Sequence, residues 1–147
     1  MFVNNLANGV MDLVGDNPGV NCDCLRVVLS NTSGSVNPTL ATLSQVAQIA
    51  AVNGYVAGGL PLTGGVNTGA SSAGTFTLEG TVQTWTAVGG AMAPFRYAIL
   101  YDDTPTSPNK PLIGAWDYGY SLTLAEGETF TVKFDSSSPT GTILTVI

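Results

Sequence analysis

The residues of this sequence that could most readily take part in chemistry are three aspartates that lie at the ends of two apolar segments. Asp102 and Asp103 are adjacent, and Asp117 follows a polar loop. Such carboxylates can bind Ca²⁺, and two of them on either side of a sugar can hydrolyse a glycosidic bond. Asp117 shares a site with the other two only if the loop is short. Otherwise the aspartates belong to a hydrated turn and accept hydrogen bonds from their own backbone.

Groups that commonly carry catalysis or hold metals are scarce. The chain has no histidine, so it lacks a Ser-His or Cys-His pair. Its glycine-rich segments match neither the phosphate-binding loop nor the dinucleotide fingerprint. Cys22 and Cys24 are the only cysteines, and on a strand their Cα atoms would lie near the upper limit for an unstrained disulfide, so we predict free thiols. We therefore predict that the protein is not an enzyme and holds no metal or cofactor.

Aromatic residues are concentrated in the same part of the chain. Five of them lie between positions 97 and 120: Tyr97, Tyr101, Trp116, Tyr118 and Tyr120. Exposed aromatic side chains can bind a carbohydrate or a protein surface. The alternative is that they form the core and rim of the fold.

All these residues lie in or beside one predicted hairpin, residues 95 to 119. Its first half, FRYAILY, places apolar side chains on both faces of a strand, because successive side chains point to opposite sides. A strand covered on both faces lies inside a sheet. Residues 112 to 116 are predicted to run back as its partner, which leaves residues 102 to 111 as a polar tip. Three residues of this tip are candidate contacts with a partner: Asp102, Asp103 and Lys110.

Elsewhere the sequence alternates short β segments with turns. Further strands are predicted at 24–30, 55–57, 75–79, 81–86, 120–124, 129–134 and 142–147. Asn37-Pro38 is a typical helix start, so one short internal helix is predicted over residues 39 to 50. Strands separated by turns at intervals of roughly ten residues predict a mainly β fold, either an antiparallel sandwich or a jelly-roll-like barrel.

Residues 2 to 14 are predicted to form an amphipathic helix. Its apolar side chains recur at helical spacing: Phe2, Leu6, Val10 and Leu13. This helix either covers one end of the core or forms an arm that docks on a partner subunit. We therefore divide the chain into an N-terminal helix or arm, residues 1 to 20, and a single β domain, residues 21 to 147.

Charge is sparse for a folded chain of 147 residues. Only 10% of residues are charged, against roughly 25% in ordinary domains, and the formal net charge is -6. The four basic residues are scattered, so we predict that the protein binds neither nucleic acid nor an anionic membrane surface. No apolar run approaches the roughly 20 residues of a transmembrane helix, and the N-terminus lacks the features of a signal peptide. These features predict folding in a cytoplasm.

Several segments of the chain resemble a family of small structural proteins of tailed bacteriophages. They are CLRVVLSNT at 24–32, TLATLSQVAQIAAVNGYVAGGLPLTGGV at 39–66 and FRYAILYDDTPTSPNKPLIGAWDYG at 95–119. MFVNNLANGVMDLVGDN at the start of the chain is similar to the N-terminal helix of that family. The hairpin YDDT…KPLIGAWDYG is the most specific segment. The sequence departs from the family in having few charges around residues 39 to 50 and a proline-rich loop at 104 to 111.

The resemblance implies a virion structural protein, and capsid decoration (cement) is the role that it favours. Such a protein binds the major capsid protein on the outer shell, usually as a homotrimer, and bridges neighbouring shell subunits. It would be made in the host cytoplasm and lie on the capsid surface. The alternatives are a tail, neck or fibre component, and a carbohydrate-binding module that uses the aromatic residues around Tyr118. We expect residues 1 to 20 to supply the shell or trimer contact, so a chain lacking residues 1 to 14 should fold but fail to bind capsids.

Overall fold

The computed structural model describes residues 24–62, 76–134 and 140–146. In this part of the chain the fold is mainly β, and every strand pairing is antiparallel. The strands are β1 (Leu25–Ser30), β2 (Leu60–Pro61), β3 (Phe76–Thr81), β4 (Gln83–Thr86), β5 (Phe95–Asp102), β6 (Leu112–Leu122), β7 (Thr129–Val132) and β8 (Thr140–Val146). The predicted N-terminal helix, with Phe2, Leu6, Val10 and Leu13, lies outside the described residues.

The predicted hairpin forms the centre and one edge of the main sheet. The four strands of this sheet run in the order β2-β1-β5-β6. Two further pairs of strands lie outside it, β3 with β8 and β4 with β7. Val28 of β1 stands opposite Ile99 of β5, and Ile99 stands opposite Ala115 of β6. The prediction that the first hairpin strand lies inside a sheet is confirmed, because β5 has a neighbour on both sides.

Both faces of β5 are buried, as the apolar pattern on its two sides predicts. Leu100 faces a core cluster that includes Leu25 of β1 and Trp85 of β4. Ile99 points the opposite way and packs in a second cluster with Val28. Leu100 is 0% exposed and Ile99 is 1% exposed. The sheet is therefore covered on both sides at its centre.

The prediction of an internal helix over residues 39 to 50 is wrong, both in the length of the helix and in its type. The structure has only one short 3₁₀ turn there, Leu43–Gln45. Asn37 forms a local turn, in which its Oδ1 accepts from the backbone N and the hydroxyl of Thr39 and its carbonyl oxygen accepts from the backbone N of Leu40, but no α-helix continues from this turn. Polar side chains that bind nearby backbone groups in this way compete with a helical hydrogen-bond ladder. Leu43 and Val46 still bury their side chains, but they do so against the second core cluster from an irregular segment.

The strand predicted at 55–57 is also absent, and the neighbouring strand lies later, at β2. Tyr55 is buried within the turn that precedes β2. Gly59 has a φ of +66°, and a Cβ at this position would lie 1.8 Å from the carbonyl oxygen of Val27. A side chain at residue 59 would therefore prevent β2 from approaching β1. This close approach is why a turn rich in glycine occurs here.

β6 is longer than predicted and carries a wide bulge. The separate strands expected at 112–116 and 120–124 form one strand of 11 residues. Phe95 pairs with Leu122 and Tyr97 pairs with Asp117, so residues 118–121 stand opposite Arg96 alone. The extra residues on the bulged strand must project away from the ladder. Gly119, with a φ of +100°, permits the sharp change of direction.

Candidate functional site

The polar tip of the hairpin contains one buried carboxylate and one partly exposed carboxylate. Asp102 is 0% exposed at the end of β5, and its Oδ1 accepts a hydrogen bond of 3.1 Å from the backbone N of Thr104. The carboxylate of Asp102 thus holds the turn that follows β5, and contact of this residue with a partner stays a prediction.

Asp103 and Lys110 do come together at the tip. The Nζ atom of Lys110 lies 2.7 Å from Oδ1 of Asp103, and Nη1 of Arg26 lies 3.8 Å from Oδ2. Arg26 also donates hydrogen bonds to the carbonyl oxygens of Gly58 and Gly59. Asp103 thus links the hairpin tip to the turn before β2. The Lys110 side chain is 42% exposed and remains accessible to a partner.

Asp117 lies far along the hairpin from the other two aspartates. It stands opposite Tyr97, whereas Asp102 lies at the tip, beside Pro111, to which it is hydrogen-bonded through the backbone. The three carboxylates therefore do not form one site, because the loop is long and the strands carry Asp117 away from the tip. In the described ranges, no group of three or more His, Cys, Asp and Glu residues is placed to hold a metal ion.

Asp117 instead forms an ion pair with Arg96. Nε of Arg96 donates to Oδ1 at 2.7 Å, and Nη2 donates to Oδ2 at 2.8 Å. The backbone N of Gly119 also donates to Oδ1 at 2.7 Å. The hydrogen bonds from Arg96 and then from Gly119 lower the pKa of Asp117 to about 2. The pair therefore keeps its charges at neutral pH and holds the start of the β6 bulge.

The structure separates the aromatic residues of the hairpin into two groups. Tyr97 and Tyr101 are buried in the second core cluster, as the core interpretation predicts. Trp116, Tyr118 and Tyr120 remain 39%, 47% and 60% exposed, and we call these three residues the aromatic patch. The three residues occupy alternate positions in the sequence of β6, and their exposure fits either a binding surface or the rim of the fold.

A groove lies between β6 and β7 next to this patch, and we call it the β6–β7 groove. Its volume is about 380 Å³. The ring centroid of Trp116 lies 5.6 Å from that of Phe134, and the centroid of Tyr118 lies 5.7 Å from that of Phe130. Both contacts set the edge of one ring against the face of the other. The groove therefore has aromatic walls contributed by strands that are distant in sequence.

Neither the groove nor the ion pair that borders it was predicted from the sequence. Arg96 lines the groove together with Asp117 and Lys133. The available signals were a single arginine within an apolar strand and a single aspartate between Trp116 and Tyr118. Neither signal shows by itself that the two residues are cross-strand partners.

Free Cys24 is exposed, in agreement with the predicted thiol, whereas Cys22 lies outside the described residues. Within the described ranges, no helix is both long and apolar enough to cross a bilayer. Comparison of the chain with protein-family models, with curated proteins and with solved structures found no match. The hairpin tip and the β6–β7 groove are therefore the two features from which a function can be proposed.

Proposed function

We propose that this chain is a structural protein of a tailed-bacteriophage virion, and that it acts as a decoration protein on the outer capsid shell. The observation that carries the proposal is the hairpin of β5 and β6. It is the segment with the most specific resemblance to the phage proteins, and it forms both the buried centre of the main sheet and its most exposed edge. A rigid support beneath exposed contact groups suits a protein that bridges other subunits.

The hairpin tip is held in place from several directions. The backbone N of Asp103 donates to the carbonyl oxygen of Cys24 at 2.8 Å, and the backbone N of Leu43 donates to that of Lys110 at 2.9 Å. The ion pair between Asp103 and Lys110 adds a side-chain connection. A contact loop that is already ordered loses little conformational entropy on binding. We therefore propose that the tip, through Lys110, contacts the major capsid protein.

Assembly as a homotrimer would strengthen such contacts. Once one subunit has docked, its partners are held at high local concentration near their own sites, so weak individual contacts add to firm attachment. We also propose that the fold is an antiparallel sandwich. In support, Trp85 of β4 and Phe130 of β7 pack together with Phe95 of the main sheet, with the rings of Phe95 and Phe130 at 4.8 Å.

Immunogold labelling of intact virions with an antibody against this chain tests the location. We expect gold particles over the whole head, in many copies per virion. Label confined to the tail or to one vertex would replace the decoration role with that of a tail, neck or fibre component. Absence of label on virions that carry the gene would overturn the virion role.

Binding of the purified chain to capsids stripped of it tests the contact surface. We expect Lys110→Glu to weaken capsid binding at least tenfold, a change that corresponds to about 1.4 kcal/mol. Lys133→Glu makes the same change of charge on the side of the groove and should bind as the parent chain does. Equal binding by both variants would show that the tip does not contact the shell.

A further inference from the structure

The β6–β7 groove has the dimensions of a ligand site. Its volume of about 380 Å³ lies within the range of roughly 300–1,000 Å³ that is typical of small-molecule sites. Strands β5, β6, β7 and β8 all contribute lining residues, so its shape depends on the fold as a whole. The groove can hold a small molecule or a short stretch of a polymer.

One part of the groove is aromatic and remains accessible. Trp116 is 39% exposed and Tyr118 is 47% exposed. Each ring is supported by a phenylalanine in an edge-to-face contact, which limits its movement. A supported aromatic ring presents an electron-rich face, and the weakly positive C–H groups on one side of a pyranose ring can pack against it.

Another part of the groove is polar and consists of the Arg96–Asp117 pair. Only Nε and Nη2 of the guanidinium bind Asp117, so further N–H donors remain available on Arg96. Oδ1 of Asp117 already accepts from Arg96 and from Gly119, whereas Oδ2 accepts one hydrogen bond and retains accepting capacity. Neighbouring ring hydroxyls of a sugar both donate and accept, and a planar pair of charged groups can bind them from one side. The aromatic and polar residues line the same groove, to which β6 contributes Trp116, Asp117 and Tyr118.

The charges in the groove favour an uncharged ligand. Arg96 and Asp117 neutralise each other at a distance of 2.7 Å. Lys133 supplies a single further positive charge at the border, while the whole chain carries a net charge of -6. A polyanion would gain one attractive contact and meet repulsion from the rest of the molecule.

We infer that the β6–β7 groove binds a neutral oligosaccharide. Pyranose rings stack on Trp116 and Tyr118, and ring hydroxyls form hydrogen bonds with Arg96 and Asp117. This activity goes beyond a structural role on a virion and does not depend on it. The isolated chain is therefore sufficient to test oligosaccharide binding. The outcome of that test does not depend on the outcome of the virion labelling.

Intrinsic tryptophan fluorescence provides a direct measurement. The chain has two tryptophans, and Trp85 is only 1% exposed, so a ligand in the groove changes the emission of Trp116. The full chain is titrated separately with cellohexaose, maltohexaose, mannohexaose and chitohexaose, with polygalacturonate as an anionic comparison. We expect a saturable shift of the emission to shorter wavelength with at least one neutral hexasaccharide, and calorimetry then gives its Kd.

Variants assign the binding to the groove. Removal of one stacking ring by Trp116→Ala or Tyr118→Ala should weaken binding measured by calorimetry about tenfold or more. Val56→Ala and Val88→Ala serve as controls, because each removes an exposed apolar side chain that does not line the groove. Both controls should bind within about twofold of the parent chain, and the circular dichroism of all four variants should be unchanged.

Three outcomes would overturn the inference. The first is no saturable response to any neutral probe, which is also the result expected if the groove takes a peptide segment. The second is full binding by both Trp116→Ala and Tyr118→Ala. The third is a response to polygalacturonate alone, which would indicate an electrostatic contact with Lys133.

Discussion

Arg96 and Asp117 form an ion pair with two hydrogen bonds across β5 and β6, with Nε–Oδ1 at 2.7 Å and Nη2–Oδ2 at 2.8 Å. The pair stands where the regular pairing of β5 and β6 ends, and Gly119 binds the same carboxylate from within the bulge. A single carboxylate therefore connects the central strand, the edge strand and the polar part of the groove.

Asp117 should titrate well below an ordinary aspartate. Its pKa is lowered from 3.8 to about 2, so the unfolded chain holds more protons than the folded chain between these values. The stabilising contribution of Asp117 is therefore complete above about pH 4 and is lost as the pH falls through about 2. A carboxyl-carbon NMR titration should show the low midpoint.

Arg96→Met provides the control for this titration, since it removes the largest cause of the lowered pKa and keeps an unbranched side chain. The midpoint of Asp117 should then move upward, towards its ordinary value. A midpoint near 4 in the parent chain would show that the ion pair does not form in solution.

Alkaline pH should destabilise the fold through two buried tyrosines. Burial raises the pKa of Tyr55 and of Tyr101 to about 12, and for Tyr101 the charge of Asp103 adds to the effect. Their protonated forms therefore stabilise the fold fully below about pH 10, and this contribution is lost as the pH rises from 10 to 12. The absorbance of tyrosinate and the urea midpoint, followed across this range, measure the two effects.

Tyr55→Phe should reduce the alkaline loss of stability. The hydroxyl of Tyr55 donates to Oε1 of Gln48 at 2.9 Å and accepts from the backbone N of Leu29 at 3.3 Å, so its removal should also cost about 1 kcal/mol at neutral pH. Tyr118→Phe removes a hydroxyl from a side chain that is 47% exposed and should change stability little. An unchanged alkaline transition in Tyr55→Phe would contradict the assignment.

Gly59→Ala should be strongly destabilising. A Cβ would lie 1.8 Å from the carbonyl oxygen of Val27, and the φ of +66° is unfavourable for a side chain. We expect a loss of about 3 kcal/mol or more from the clash and the backbone strain together. Gly34→Ala is the matched control, because no atom lies within 4 Å of its Cβ position. Similar urea midpoints for the two variants would show that β2 does not contact β1 as described.

Leu100→Ala should cost about 2–5 kcal/mol, since Leu100 is 0% exposed in the central strand and its truncation leaves a cavity. Val88→Ala truncates a side chain that is 63% exposed, and its effect should stay within about 0.5 kcal/mol. Urea denaturation measures both. A loss below 1 kcal/mol for Leu100→Ala would show that β5 is not the centre of the core.

The sequence was sufficient to predict those strands and turns whose local residue pattern agrees with their packing in the fold. β5 has apolar residues on both faces and is buried on both faces, and the hairpin follows from the proline-rich turn after it. The prediction of a helix over residues 39 to 50 was wrong because the start signal at Asn37 forms only a local turn, and the packing of Leu43 on the sheet decides the path of the chain after it. Propensity is a weak guide where tertiary contacts decide.

The groove could not be predicted for a different reason. Arg96 and Asp117 are 21 positions apart, and the pair forms only in the register that the bulge imposes. Trp116 contacts Phe134 because the residues at the end of β7 lie across the groove from β6. Alternation along each strand shows which residues share a face, but it does not show which strands face each other across a groove.

The bulge in β6 also bears on how copies of the chain can be crowded together. β6 is an edge of the main sheet, and a straight edge of 11 residues would offer a row of backbone groups on which another molecule could continue the sheet. Residues 118–121 interrupt this row and turn its end aside. Copies of the chain that come close together can therefore touch through side chains without continuing the sheet through their backbones.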